Sequence, residues 1–172
     1  RQGEMIFKIS GQDISFDPVS EKIEPLTGGD QWGHSMDDWG RRFICNNSNH
    51  IEQVIWSAGD LDRLSGVSAP NAIESIAVEG AAAPVFRKSP AEPWRIVRTR
   101  RRASDPEFVK RTSKTELVAT GYFTSATGVT IYRGDAYPAE FHGNAFMGDV
   151  GSNLIHRKRL TQTGIVASAK RA

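Results

Sequence analysis

The chain has 172 residues, 38% of them hydrophobic and 24% charged, and its 22 Lys and Arg against 20 Asp and Glu give a formal net charge of +2. This is enough apolar material for one ordinary domain, too mixed for a disordered chain, and too evenly charged to set up a global field for nucleic acid or an acidic membrane. The lone Cys45 excludes an internal disulfide, a multi-cysteine metal knuckle and C-x-x-C-H haem attachment, and no apolar run approaches the roughly 18 residues of a transmembrane helix.

The start, Arg1-Gln2-Gly3-Glu4, is neither an initiator Met nor a signal peptide, which predicts a segment cut from a longer chain. Helical periodicity is weak, and short alternating runs recur between Gly, Pro, Asp and Asn, the pattern of an all-β protein. Met5-Ile6-Phe7-Lys8-Ile9 predicts a strand stopping at Ser10-Gly11, and Ile14-Ser15-Phe16 a second before the Asp17-Pro18 turn. Residues 22–26 predict a third, closed by Gly28-Gly29.

An internal echo follows. Gly40-Arg41-Arg42-Phe43-Ile44-Cys45-Asn46 precedes an Asn/Ser turn and an apolar strand, and Gly143-Asn144-Ala145-Phe146-Met147-Gly148-Asp149 does the same. Each unit also follows a strand and a turn: His34-Ser35-Met36 before the first, Val129-Thr130-Ile131-Tyr132 before the second. Strand, turn, strand, Asn-rich turn, strand is the first part of a four-stranded propeller blade. The two phenylalanines lie 103 residues apart, which predicts one blade plus an insertion rather than two blades of ~40–50 residues each.

The expected fold is therefore all-β, a partial β-propeller of about two four-stranded blades with a basic, loop-rich insertion. A first blade region spans 1–56, an insertion with irregular strands 57–120, and a second blade region 121–172. Two unrelated hairpins are the competing reading. Within the insertion, Ser68-Ala69-Pro70-Asn71 is a breaker, and Trp94-Arg95-Ile96-Val97-Arg98-Thr99-Arg100 is expected as a strand with solvated arginines. Residues 105–116 are expected as a loop or short helix. From Arg95 to Lys114 eight basic residues stand against Asp105 and Glu107, a solvated face or an edge that binds an anion. Nucleic acid is not expected, because no aromatic residues beyond Trp94 interleave with the arginines.

Antiparallel strands reverse direction, so the entry loop of each unit and its Asn-rich turn share one end. That end gathers Asp30, Gln31, Trp32 and His34 with residues 46–50, and residues 124–127 with Ser152, Asn153 and His156; it is the candidate face. The bland alternatives stay open. His34 can be bonded to a neighbouring blade, His50 and His156 can cap turns, and Asn46, Asn47 and Asn49 can simply tolerate left-handed backbone. The four His show no zinc spacing, and no metal site is assigned. Asp37-Asp38 reads as turn chemistry.

Residues 128–141 followed by 143–149 resemble a stretch of the glucose/sorbosone dehydrogenase propellers. Residues 31–43, 92–95, 122–128 and 152–157 resemble, more closely, the membrane-bound dehydrogenase domain of PVC-type haem-binding proteins. The resemblance implies an exported, periplasmic β-propeller, membrane-associated through its parent, that oxidises a sugar or other alcohol and passes electrons towards quinone and haem. It implies pyrroloquinoline quinone with calcium as cofactor, and haem c in a separate cytochrome-like module of the parent chain. On that reading His34 is the candidate proton acceptor; Asn49, Asn153, His156 and Arg157 are polar contacts, and Arg95 and Arg98 clamp an anion or cofactor. The chain departs from the pattern in lacking C-x-x-C-H and in carrying Asp30-Gln31 where sugar dehydrogenases often place Arg-Asn. A propeller acting only as a platform for carbohydrate or protein is the alternative.

Overall fold

A computed structural model describes residues 9–64, 66, 68 and 70–172. Met5 to Lys8 of the expected strand Met5 to Ile9, and the breaker position Ala69, lie outside the described residues. Three antiparallel sheets account for most of the regular structure. β1 (Asp13–Asp17) and β2 (Lys22–Leu26) form a hairpin whose turn is closed by Asp17, which accepts from the Val19 amide and the Ser20 hydroxyl.

The other two sheets are four-stranded meanders. One runs β3 (His34–Met36), β4 (Arg42–Asn46), β5 (Asn49–Val54) and β6 (Ile73–Ser75). The other runs β7 (Ala126–Ile131), β8 (Ala145–Asp149), β9 (Leu154–Thr163) and β10 (Val166–Arg171). The two echo units thus fall on β4–β5 and β8–β9, the same places in successive sheets. The first sheet takes its fourth strand from beyond residue 56, at β6.

The sheets stack through unlike faces. On β4, Phe43 and Cys45 are fully buried in a cluster with Ala126, Val129, Ile131, Ala145 and Met147 of the second sheet. On β8 the inward residues are Ala145 and Met147, and Phe146 points to the other side, half-buried, near Tyr132 and Phe141 at centroid distances of 6.3 Å. Side chains alternate along a strand, so equivalent residues of the two sheets face the same way. One sheet's forward face meets the next sheet's rear face.

Backbone and amide groups stitch this stack. The Ile131 amide donates to Ser35 Oγ at 2.9 Å, and Gln53 spans the gap, donating to Ile165 O at 3.1 Å and accepting from the Ala167 amide at 2.7 Å. A bridge between Ala77 and Ala169 joins the outer margins.

The connection between the sheets differs from expectation. Residues 94–100 belong to a helix, α2 (Pro93–Ala103), not a strand. Pro93 occupies the first turn, where its missing amide hydrogen costs nothing, and Arg95 and Thr99, one turn apart, supply the buried side. Before it lies the short α1 (Ala58–Asp62), with a Ser57–Asp60 capping box; after it comes α3 (Pro106–Arg111), capped by Asp105.

Candidate functional site

The Asn-rich turn and the entry segment of the first sheet do meet. Asn46 Oδ1 accepts from the amides of Ser48 and Asn49, so this turn is shaped by a side-chain acceptor rather than by left-handed asparagines. Among the described non-glycine residues only Glu21 and Asn153 have positive φ, both 55°. Trp32 Nε1 donates to Asn47 Oδ1 at 3.0 Å, and the Asn47 amide donates to Gln31 Oε1 at 3.0 Å. Asn47 O in turn accepts from the Ala126 amide at 3.4 Å, and Ser125 O from the Val150 amide at 3.2 Å, which brings the corresponding ends of both sheets together.

The candidate residues disperse around that end. His34 is exposed at the start of the edge strand β3, and Asn153 is exposed in the β8–β9 turn. Asn49 Oδ1 accepts from Ser75 Oγ at 3.3 Å. His156 is buried between the sheets, whereas its neighbour Arg157 lies on the opposite face, 4.3 Å over the Phe141 ring. Arg95 is buried, donating from Nε to Ala119 O at 2.7 Å and from Nη2 to Thr124 Oγ1 at 2.8 Å; Arg98 lies 5.0 Å over Trp94. Adjacent strand residues point to opposite faces, so His156 and Arg157 cannot line one cradle. As a set these groups do not fit a quinone with calcium, and among the described residues no group of three or more His, Cys, Asp and Glu is placed to hold a metal.

His50 and His156 of the candidate face enter a buried titratable cluster, joined by Phe123, Lys158 and Glu79, which the sequence does not announce. His50 stacks on Phe123 with ring centroids 4.3 Å apart and planes 1° from parallel, and His156 meets Phe123 edge-on at 5.1 Å. His50 Nδ1 donates to Ala81 O at 2.5 Å, so Nδ1 carries a proton. Lys158 is fully buried beside them, paired with Glu79. Burial pushes both His down to about 4, with the Lys158 charge adding to the shift. Burial favours a raised Glu79 carboxyl, but its bonds from Lys158 and the Arg171 amide hold it at about 2. The signal available in the sequence was only the alternation that puts His156 and Lys158 on one side of β9.

Behind the first sheet, Asn46 Nδ2 bridges Asp30 at 3.3 Å and Glu52 at 3.1 Å. Burial, then the hydrogen bond and charge of Asp30, push Glu52 up to about 7. The opposite end of the sheets holds two cavities, of about 580 and 390 Å³, which share Trp39, Arg41 and Gln162. There Asp37 is a turn residue, as expected, accepting from the Trp39 and Arg41 amides, and Asp38 pairs with Arg133 at 2.6 Å.

Neither the curated proteins nor the solved structures contain a match to the chain. The family model described as Domain of unknown function (DUF7133) matches residues 1–172, and the chain belongs to that family.

Proposed function

We propose that the two meanders are successive blades of a β-propeller, and that this propeller belongs to an exported dehydrogenase-like protein oxidising a sugar or alcohol. The observation that supports the propeller is the head-to-tail stacking of the sheets: Phe43 is covered by the second sheet, while Phe146, its equivalent, is left half-buried on a face that would meet a third. A sandwich built on two-fold symmetry would instead bring like faces together. Support for the oxidation comes from the resemblance of residues 128–141 and 143–149 to the glucose/sorbosone dehydrogenase propellers, and of residues 31–43 to the dehydrogenase domain of PVC-type haem-binding proteins. His34, exposed at the rim where both Asn-bearing turns gather, is the proton acceptor of that reading.

A non-catalytic platform for carbohydrate or protein is the second reading. It is favoured by the use of His156 and Arg95 in packing rather than at an open surface. Reduction of a quinone-coupled dye by the full-length parent, lost on His34→Ala with folding intact, supports the first. Wild-type-like turnover by His34→Ala removes His34 from the chemistry, and absence of turnover with any sugar or alcohol supports the platform.

A further inference from the structure

The connection between the sheets carries a charge pattern of which the dehydrogenase reading uses only Arg95 and Arg98. Between Arg95 and Glu116 eight basic side chains stand against three acidic ones, while the whole chain carries only +2, so the remainder is net acidic. Two of the acids are engaged locally: Glu116 lies 4.0 Å from Arg102, and Glu107 bonds Lys110 at 2.7 Å. Among the described residues, Arg98, Arg100, Arg101 and Arg111 have no acidic partner.

α2 holds Arg98, Arg100 and Arg101 in a fixed orientation. Its inner side is pinned by Arg95, buried and bonded to Ala119 O and Thr124 Oγ1, and by the buried Thr99. At 100° per residue, the arc opposite that anchor carries Trp94, Val97, Arg100 and Arg101, all exposed, with Trp94 at 57% and Val97 at 65%. Arg98 flanks this arc over the Trp94 ring, and Arg102 and Arg111 both lie over Phe108, at 4.9 and 5.5 Å, which draws α3 into the same basic surface.

Trp94 and Val97 add exposed apolar surface among these arginines. At a lipid surface both parts are matched: the indole and the valine enter the headgroup boundary while guanidinium groups meet phosphates. We propose that α2 docks this protein onto an anionic lipid surface, lying in its plane through Trp94 and Val97 and held by Arg98, Arg100 and Arg101. The helix is of a length to lie on a bilayer, and no helix among the described residues is long and apolar enough to cross one.

The test is co-sedimentation of the full-length protein with phosphatidylcholine vesicles, with and without about a third of phosphatidylglycerol, beside binding to heparin. The expected result is binding to the anionic vesicles only, weakened by salt and reduced by about tenfold or more in Arg100→Glu/Arg101→Glu. Trp94→Ala is expected to weaken vesicle binding by about fivefold or more while leaving heparin binding unchanged. Both sites are exposed, and an unchanged circular dichroism spectrum verifies the fold. Binding to heparin without binding to vesicles, equal binding to neutral vesicles, no vesicle binding at all, or anionic-vesicle binding indifferent to Trp94→Ala would each overturn the proposal.

Discussion

Phe43 and Phe146 occupy the same position in two successive sheets, yet Phe43 is fully buried and Phe146 is half-buried on the face turned away from the first sheet. Their inequality follows from stacking unlike faces, and it has an energetic consequence. Phe43→Ala removes a side chain that the neighbouring sheet encloses and is expected to cost ~3–5 kcal/mol. Phe146→Ala in the 172-residue chain is expected to cost less than half of that, because part of the ring already meets water. Urea denaturation of the two variants checks the ranking.

The His50–Phe123–His156 stack makes stability depend on pH. Both imidazoles are held near pKa 4 in the folded chain against 6.5 when free, so the unfolded chain binds more protons between those values. Their contribution is complete above about pH 6.5 and declines as pH falls towards 4. Glu79, held at about 2 against 4.5, adds a second loss at lower pH. His156→Leu is expected to flatten the melting-temperature profile between pH 4 and 6.5, at an intrinsic cost or gain set by packing beside Lys158. A profile as steep as that of the parent chain would place the pH dependence elsewhere.

Glu52 has the opposite sign. Its carboxyl is raised to about 7 by burial and by Asp30, so the folded chain holds a proton that the unfolded chain has released. The favourable contribution is present below pH 4.5 and is lost as pH rises through about 7. Glu52→Gln keeps the hydrogen-bonding shape without the charge. It is expected to raise the melting temperature at pH 8 and to leave it nearly unchanged at pH 5; equal effects at both would contradict a protonated Glu52.

The sheets were legible where the signal was local. Gly40 to Asn46 and Gly143 to Asp149 announce a turn, a strand and a second turn within a few residues, and β4, β5, β8 and β9 follow them. β6, with only Ile73-Glu74-Ser75, is too short to show alternation and is recruited by pairing with β5. α2 misled because Trp94, Ile96 and Val97 look strand-like among arginines, whereas the helix is set by Pro93 at its start and by contacts of Arg95 to residues 119 and 124. The same non-locality hid the His50–Phe123–His156 stack and the buried Lys158. No spacing rule joins residues that meet only when the second sheet closes over the first.

Head-to-tail stacking is tested most directly by thiol labelling at the two equivalent positions. Phe43→Cys and Phe146→Cys, each in a Cys45→Ser background, are treated with a maleimide in the 172-residue chain. Protection of position 43, enclosed by the second sheet, is predicted. Position 146, half-buried on the face turned away from the first sheet, is predicted to react about tenfold faster or more. Equally fast labelling of the two positions would contradict the account.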